Sequence, residues 1–478
     1  MNVVVPSNAS VLISDGATVF ANTISIALSG SLVFGNTGTL KIHGDWQNAG
    51  TFTPRNGTVE FAGTNQTINS SNLDLEQFNN LQVNTGSNVT LSTNSKLALL
   101  PSGTLTINGS FNLNNQSFIL TSDSARAARL AELPSGSSLT NASNFTIQRY
   151  FTKHRRLRYL SSPVINATIQ QFKDSTLVVG PTTRGFDAPN NTTTSIKHYS
   201  ESSTLGLNNA WLSANNISNT LVSGREYYLF VVGKRTTVFP DSANVTLALK
   251  GVPHTGTMNI PVTYTSTGTL GWNLVGNPYP SQISWNAAGW TKTNIGNAIY
   301  MWDPLIGKSG NYFSYVNWIS SDGRPNGDVI PSFQGFFVKA NAANPVLQIR
   351  ESVKVGSSHQ VNFRQASLSD ILRLKISFGS NSDQTVVYLQ EGATSDVDES
   401  FDALKLMGGD MNIYTATGAT NYSIQALPAT SDTFSVSLPI ASNYKGSHLL
   451  SAAEFSSSLN SEIYLLDSYT NKATAITA

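Results

Sequence analysis

The side chains best suited to chemistry in this 478-residue chain are acidic, aromatic and basic, and each kind is clustered. The run Asp396-Val397-Asp398-Glu399-Ser400-Phe401-Asp402, with Asp383 nearby, is the densest group of carboxylates. Several carboxylates in one loop suit Ca²⁺, a hard cation held by oxygen ligands. The glycine and distal glutamate of an EF-hand loop are missing, so a solvated loop is the alternative. Trp272, Tyr279, Trp285, Trp290, Tyr300, Trp302, Tyr312, Tyr315 and Trp318 crowd one stretch. An exposed ring offers a sugar an apolar face, and Trp285, Trp290 and Trp318, flanked by polar residues, are the candidates for glycan contact. In the alternative these rings build a core and buttress proline-rich turns. Lys153-His154-Arg155-Arg156-Leu157-Arg158 suits an anionic polysaccharide or a lipopolysaccharide head group, or else pairs with local acids at a domain junction. Gly307-Lys308-Ser309 ends like a phosphate-binding loop, but Trp302 stands where that loop needs its first glycine.

Catalytic patterns are otherwise missing. The sequence has no His-Glu-x-x-His, no Gly-x-Ser-x-Gly, and six histidines scattered singly. It has no cysteine, which removes disulfides, thiolate metal sites and cysteine nucleophiles. The paired carboxylates of a glycosidase are defined by separation in space, which spacing along a chain does not address. The expectation is a protein that is not an enzyme.

Composition points to the setting. Asp, Glu, Lys and Arg make up 12% of the chain, about half the usual globular share. The surface is therefore dressed with Asn, Ser, Thr and Gly, as in extracellular β-proteins. A net charge of +1 gives no field to draw in nucleic acid. No apolar run reaches the roughly 20 residues of a transmembrane helix, and residues 1–20 show no signal-peptide pattern.

One pattern organises the first part. Gly38-Thr39-Leu40-Lys41-Ile42-His43-Gly44, Gly57-Thr58-Val59-Glu60-Phe61-Ala62-Gly63 and Gly103-Thr104-Leu105-Thr106-Ile107-Asn108-Gly109 are copies of Gly-Thr, apolar, any, apolar, any, Gly. Each reads as a short strand closed by residues that tolerate positive φ. Gly30–Gly35 is a degenerate copy and Phe78–Asn84 another rung. Such repetition predicts a β-solenoid over residues 1–148, with asparagines stacking at its corners; a sandwich of glycine-rich hairpins is the alternative. Helices are predicted only at Ser122–Leu133 and Gln282–Trp290. Elsewhere period-2 alternation dominates, as in Val231–Val238. Residues 149–350 hold six of the seven tryptophans and read as an aromatic-rich, jelly-roll-like β-sandwich. Residues 351–478 lack tryptophan. Strands there are predicted at Leu372–Phe378, Thr385–Gln390, Asn412–Thr415, Tyr422–Ala426, Phe434–Pro439, Ser447–Ala452 and Ile463–Asp467, the pattern of an immunoglobulin-like sandwich. The fold class is all-β: a β-solenoid followed by two β-sandwich domains.

Gly271-Trp272-Asn273-Leu274-Val275-Gly276-Asn277-Pro278-Tyr279-Pro280, then Ile299–Asp303 and Ile330-Pro331-Ser332-Phe333-Gln334-Gly335-Phe336-Phe337-Val338, carry a resemblance. So do Gly44–Phe52 and the later runs Asp383–Tyr388, Phe401–Leu406 and Ile424–Pro428. The chain resembles the large surface proteins that Bacteroidetes-type bacteria export through the type IX secretion system. The resemblance covers nearly the whole sequence and implies an extracellular or surface-attached adhesin-like protein, although that class has no single activity. It also implies a C-terminal sorting domain, which does not follow Asn471–Ala478 here, as in a processed or truncated product. A further strand tends to follow this point in such proteins. Without it the last sandwich would have an open edge for a neighbouring chain to fill. Asp123-Ser124-Ala125 and Asp241-Ser242-Ala243 fit that phylum's O-glycosylation pattern. The expected role is adhesion or assembly of an extracellular structure. The partners would be other copies in an oligomer or fibre, or glycans of a cell-surface polysaccharide.

Overall fold

The structure, a computed structural model, describes residues 1–71, 74–152, 155–188, 192–235, 243–356, 370–429, 433–456 and 462–476. The first part is a parallel β-solenoid of about 6 turns. Val3 pairs with Ile24, Ile24 with Trp46, Trp46 with Ile68 and Ile68 with Leu91, so each coil takes 21 to 23 residues. At about 4.8 Å per coil the rod is roughly 30 Å long. All three glycine-flanked repeats lie on one face. Thr39 pairs with Thr58 and Thr58 with Asn80 of the Phe78–Asn84 rung, and Leu81 of that rung with Leu105.

Within every strand the alternate residues turn inward. Leu40, Ile42, Val59, Phe61, Leu81, Val83, Leu105 and Ile107 are fully buried on this face alone. Aromatic rings continue from coil to coil inside the rod. Phe52 lies 5.5 Å from Phe34 and 4.8 Å from Trp46, and Trp46 5.3 Å from Phe78. Each such ring buried contributes about 1.5–3 kcal/mol, so the stack rather than any charge pair holds the coils.

The flanking glycines are needed for a different reason from the expected one. None of the six adopts positive φ. A Cβ on Gly63 would lie 1.9 Å from the His43 carbonyl oxygen, and one on Gly103 2.2 Å from that of Asn79. The coils are stacked too closely at these corners for any side chain. Asparagines pair between coils, Asn22 with Asn2 at 3.0 Å and Asn56 with Asn36 at 2.8 Å, as local pairs rather than one continuous ladder.

Neither predicted helix forms. At Ser122–Leu133 the Asp123 carboxylate accepts bonds from the backbone N–H groups of Ala125 and Arg126, and Ser122 bridges Ala127. Arg129–Leu130 then joins the solenoid face in parallel with Thr104–Leu105. Helix propensity differences of a few tenths of a kcal/mol per residue lose to burying Leu130 and extending the ladder. Within Gln282–Trp290, Ile283–Ser284 instead pairs with Val329–Ile330, which buries Ile283 and Trp285. The α-helix among the described residues is Ile169–Ser175, which packs Ile169 and Phe172 inward.

Strand Phe145–Phe151 closes the solenoid. Its first residues pair in parallel with Phe118–Leu120, and its other edge runs antiparallel to Val245–Lys250. The following residues form a four-stranded antiparallel sheet that contains Arg156–Ser161 and Glu226–Val231, and a five-stranded sheet that contains Trp272–Gly276, Ile299–Asp303 and Gly335–Lys339. Tyr159, Trp211, Tyr312 and Phe337 pack between them. The apolar core does not stop at the expected borders. One cluster runs from Val5 through Leu249 to Phe333, and another joins Tyr159 to Ile371 and Ala426.

In the last part Ile371–Phe378, Asn381–Gln390, Thr420–Pro428 and Leu449–Ser456 share one sheet, close to the predicted strands. Asn381–Gln390 and Thr420–Pro428 run parallel, unlike the antiparallel pairing of the immunoglobulin pattern. Phe434–Pro439 is not a strand; only Ser437 makes an isolated bridge, to Ala416. Of the predicted strand Val231–Val238, Val231 ends the strand Glu226–Val231, and residues 236–238 lie outside the described residues. Among the described residues no helix is long and apolar enough to cross a membrane.

Candidate functional site

The three candidate glycan-binding tryptophans are not brought together as exposed rings. Trp285 is buried, with its indole N–H donating to the Asn297 carbonyl at 2.7 Å. The Lys292 ammonium sits 3.6 Å from the centre of its ring, and burial pulls that amine down to about 8. Trp290 is half-buried, packs edge-on against Trp285 and donates to the Ser284 carbonyl. Trp318 alone is exposed, at 46%, in a turn with φ near 65°. The crowd of aromatics is chiefly core, as its sequence alternative held.

Three of the five acidic candidates, Asp383, Asp398 and Asp402, are engaged by the protein itself. Asp383 accepts from the Lys405 ammonium at 2.5 Å and from the Ile413 N–H at 2.8 Å. Asp398 accepts from the Thr394 N–H, while Asp402 accepts from the N–H groups of Asp398 and Ala426. Burial raises Asp402 to about 6, and the neighbouring Asp398 and Glu399 charges add to the rise while its backbone bonds oppose it. Asp396 and Glu399 sit on the same loop, with the Glu399 carbonyl accepting from Asn297. Among the described residues no three acids or histidines converge as a metal site. At Gly307-Lys308-Ser309 the Lys308 N–H is bonded to Asn381, and Ser309 to Asp410. Lys153 and His154 of the basic run, and Asp241 and Ser242 of the second glycosylation triplet, lie outside the described residues.

Of the remaining basic residues of that run, Arg158 lines a cleft that spacing did not reveal. It is lined by Arg149, Phe151, Arg158, Tyr159, Trp302 and Phe333, with Ser332 and Gln334 at its edge. Strand Phe145–Phe151 supplies the first two, Arg156–Ser161 the next two, and Ile299–Asp303 the tryptophan. Phe333 is held at φ 67° although it is not glycine, fixed by a bond from the Ser161 N–H to its carbonyl at 2.9 Å. Such a backbone conformation persists only where its surroundings enforce it.

Below the cleft lies the aromatic cluster, in which the hydroxyls of Tyr159 and Tyr312 meet at 2.6 Å. Against it Glu226 is completely buried, and neither carboxyl oxygen has a hydrogen-bond partner. Burial holds this carboxyl well above its usual range.

A separate feature concerns the surface. Along the rod the outward positions are polar, as at Ser25, Gln47, Lys41, Glu60 and Gln82. In the first coil apolar side chains share the outward positions with Ser10 and Thr18: Val4, Leu12 and Phe20 are each more than 60% exposed, and Leu28 of the second coil is exposed too. At the other extreme of the chain Leu449, Tyr464, Leu466 and Tyr469 are exposed, the middle two on the hairpin Ile463–Asp467/Lys472–Ile476.

Residues 41–478 match the model of a domain of unknown function, DUF8693. The chain belongs to that family. No curated protein and no solved structure matches this DUF8693 chain. The match begins in the solenoid's second coil and takes in the cleft, the aromatic cluster and the C-terminal hairpin.

Proposed function

We propose that this DUF8693 chain is a non-enzymatic extracellular surface protein that assembles or anchors an extracellular structure, with copies joined head to tail. The single observation that carries the reading is the distribution of exposed apolar side chains. Val4, Leu12 and Phe20 of the first coil and Leu28 of the second are exposed, as are Leu449, Tyr464, Leu466 and Tyr469 late in the chain, while the outward positions of the later coils are largely amides and hydroxyls; Leu205, Leu270 and Leu305 are exposed singly elsewhere. Exposed apolar groups gathered in this way mark interaction surfaces. Two different surfaces on one molecule give a heterologous contact, which generates a filament unless it closes into a ring.

The resemblance to type IX secreted surface proteins, the low charge and the lack of cysteine support an extracellular setting. The solenoid serves in this reading as a rigid spacer, and the two later parts as β-sandwich modules around it. Sedimentation velocity over a hundredfold concentration range tests the association. The full chain is expected to form larger species that Phe20→Asp and Leu466→Asp each suppress. A single monomer peak at every concentration would overturn it.

A further inference from the structure

We propose that the cleft between Arg149, Arg158 and Trp302 is a binding site for one oxyanion group, a carboxylate, phosphate or sulfate carried on a larger molecule. It goes beyond the assembly reading and does not depend on it.

The cleft offers donors and positive charge without their complements. No carboxylate lies within ion-pair distance of Arg149 or Arg158 among the described residues. Asp303 is the acid whose field reaches Arg158, and it already holds Arg324 at 2.8 Å. Both guanidiniums lie near one ring, 4.2 Å and 5.9 Å from the centre of Phe151, and both line the cleft. The Arg158 Nε–H and the Trp302 indole N–H are buried and have no acceptor. The other polar groups at the edge are already engaged, since Ser332 donates to the Tyr279 carbonyl and Gln334 to the Gly335 carbonyl.

Uncompensated buried cations and unmade donor bonds are both costly. An oxyanion, which only accepts hydrogen bonds, answers both, and paired guanidiniums suit its geometry. Burial and then the Arg149 charge pull Arg158 down to about 10, so Arg158 remains cationic at neutral pH. Size sets how the ligand enters. The free volume is about 10 Å³, room for roughly one water-sized atom group. A sugar ring does not fit, so one oxygen of the anionic substituent enters between the donors while the rest of the group and the body stay at the mouth. The strained turn at Phe333 forms one wall and keeps the opening narrow.

The test is an NMR titration of the full chain, with the tryptophan indole nitrogens labelled, against sodium phosphate, sodium sulfate and sodium galacturonate, with sodium chloride at matched ionic strength as control. At least one oxyanion is expected to shift the Trp302 indole resonance saturably while chloride does not. Arg158→Met is expected to weaken that binding about tenfold or more. Arg149→Met, which leaves Arg158 and the indole in place, is the second variant should the first disturb folding. The three salts distinguish carboxylate, phosphate and sulfate by which binds tightest. The proposal is overturned if no oxyanion moves the resonance, if chloride matches the oxyanions, or if a folded arginine variant binds as tightly as the parent.

Discussion

Glu226→Gln should stabilise the protein, and increasingly so as pH rises. Glu226 stands opposite Ser161 on strand Glu226–Val231, completely buried. A Cβ on Gly335 would lie 2.9 Å from its own Cβ, so there is no room for it to swing toward water. Burial raises its folded pKa well above the ordinary glutamate value. The sign follows from proton binding. Between the unfolded and folded values the folded chain holds a proton that the unfolded chain has lost, so rising pH favours unfolding by about 1.4 kcal/mol per unit. Glutamine has nearly the same shape, does not titrate and loses no hydrogen bond, because the carboxyl makes none. At pH 4 the two proteins should agree within about 0.5 kcal/mol. Above about pH 4.5 the variant should draw ahead by at most about 1.4 kcal/mol per pH unit, and the gap should grow for as long as Glu226 stays protonated in the folded chain. Urea unfolding read by aromatic fluorescence at several pH values measures this. The quantity to compare is the difference between the two proteins, since a chain of this length need not unfold in one step. A gap that is constant in pH, or that narrows as pH rises, would refute the reasoning.

Other substitutions separate the forces in the solenoid. Gly63→Ala drives a methyl into the His43 carbonyl and should cost about 3 kcal/mol or more, whereas Gly86→Ala, at φ 80° with nothing nearby, should cost only the 1–2 kcal/mol or so of left-handed strain; thermal unfolding of both variants measures the contrast. Glu76, buried inside the rod, accepts from Asn48 at 2.8 Å and from Ser70 at 2.8 Å, and Trp46 points at it from 3.4 Å. Glu76→Ala strands these donors and should cost about 3 kcal/mol or more by urea denaturation. The Asp402 carboxyl should titrate near pH 6 in a carbon-13 NMR experiment, and a midpoint near 4 would contradict its burial. Because its folded value lies above the unfolded one, Asp402 contributes a loss of stability as pH rises from about 4 to about 6.

The solenoid was legible because its signal is local. Thr39, Leu40, Lys41 and Ile42 alternate within one strand, and the same alternation returns at Thr58 and Thr104 on the same face. The role of the glycines was not legible, since a 1.9 Å approach to another coil depends on stacking rather than on any residue's own preference. The helix expected at Ser122–Leu133 shows the same limit. Its alanines, leucines and arginines favour a helix in isolation, but Leu130 belongs to the next rung of the rod. Polar neighbours made Trp285 read as exposed, although Lys292 folds back over its ring. The cleft lay furthest beyond reach, because Arg149, Arg158, Trp302 and Phe333 come from separate strands and a turn that meet only once the sheets pack. Arg158 was marked by its place in a basic run; nothing in the sequence tied it to Trp302.

The chain has no cysteine, so thiols can be placed singly without competition. Phe20→Cys and Leu466→Cys proteins, mixed under mild oxidation, report directly on which surfaces meet. Head-to-tail assembly predicts cross-links between the two variants in excess over cross-links within either. Equal or exclusively like-with-like cross-linking, or none at all at concentrations where the parent self-associates, would contradict it.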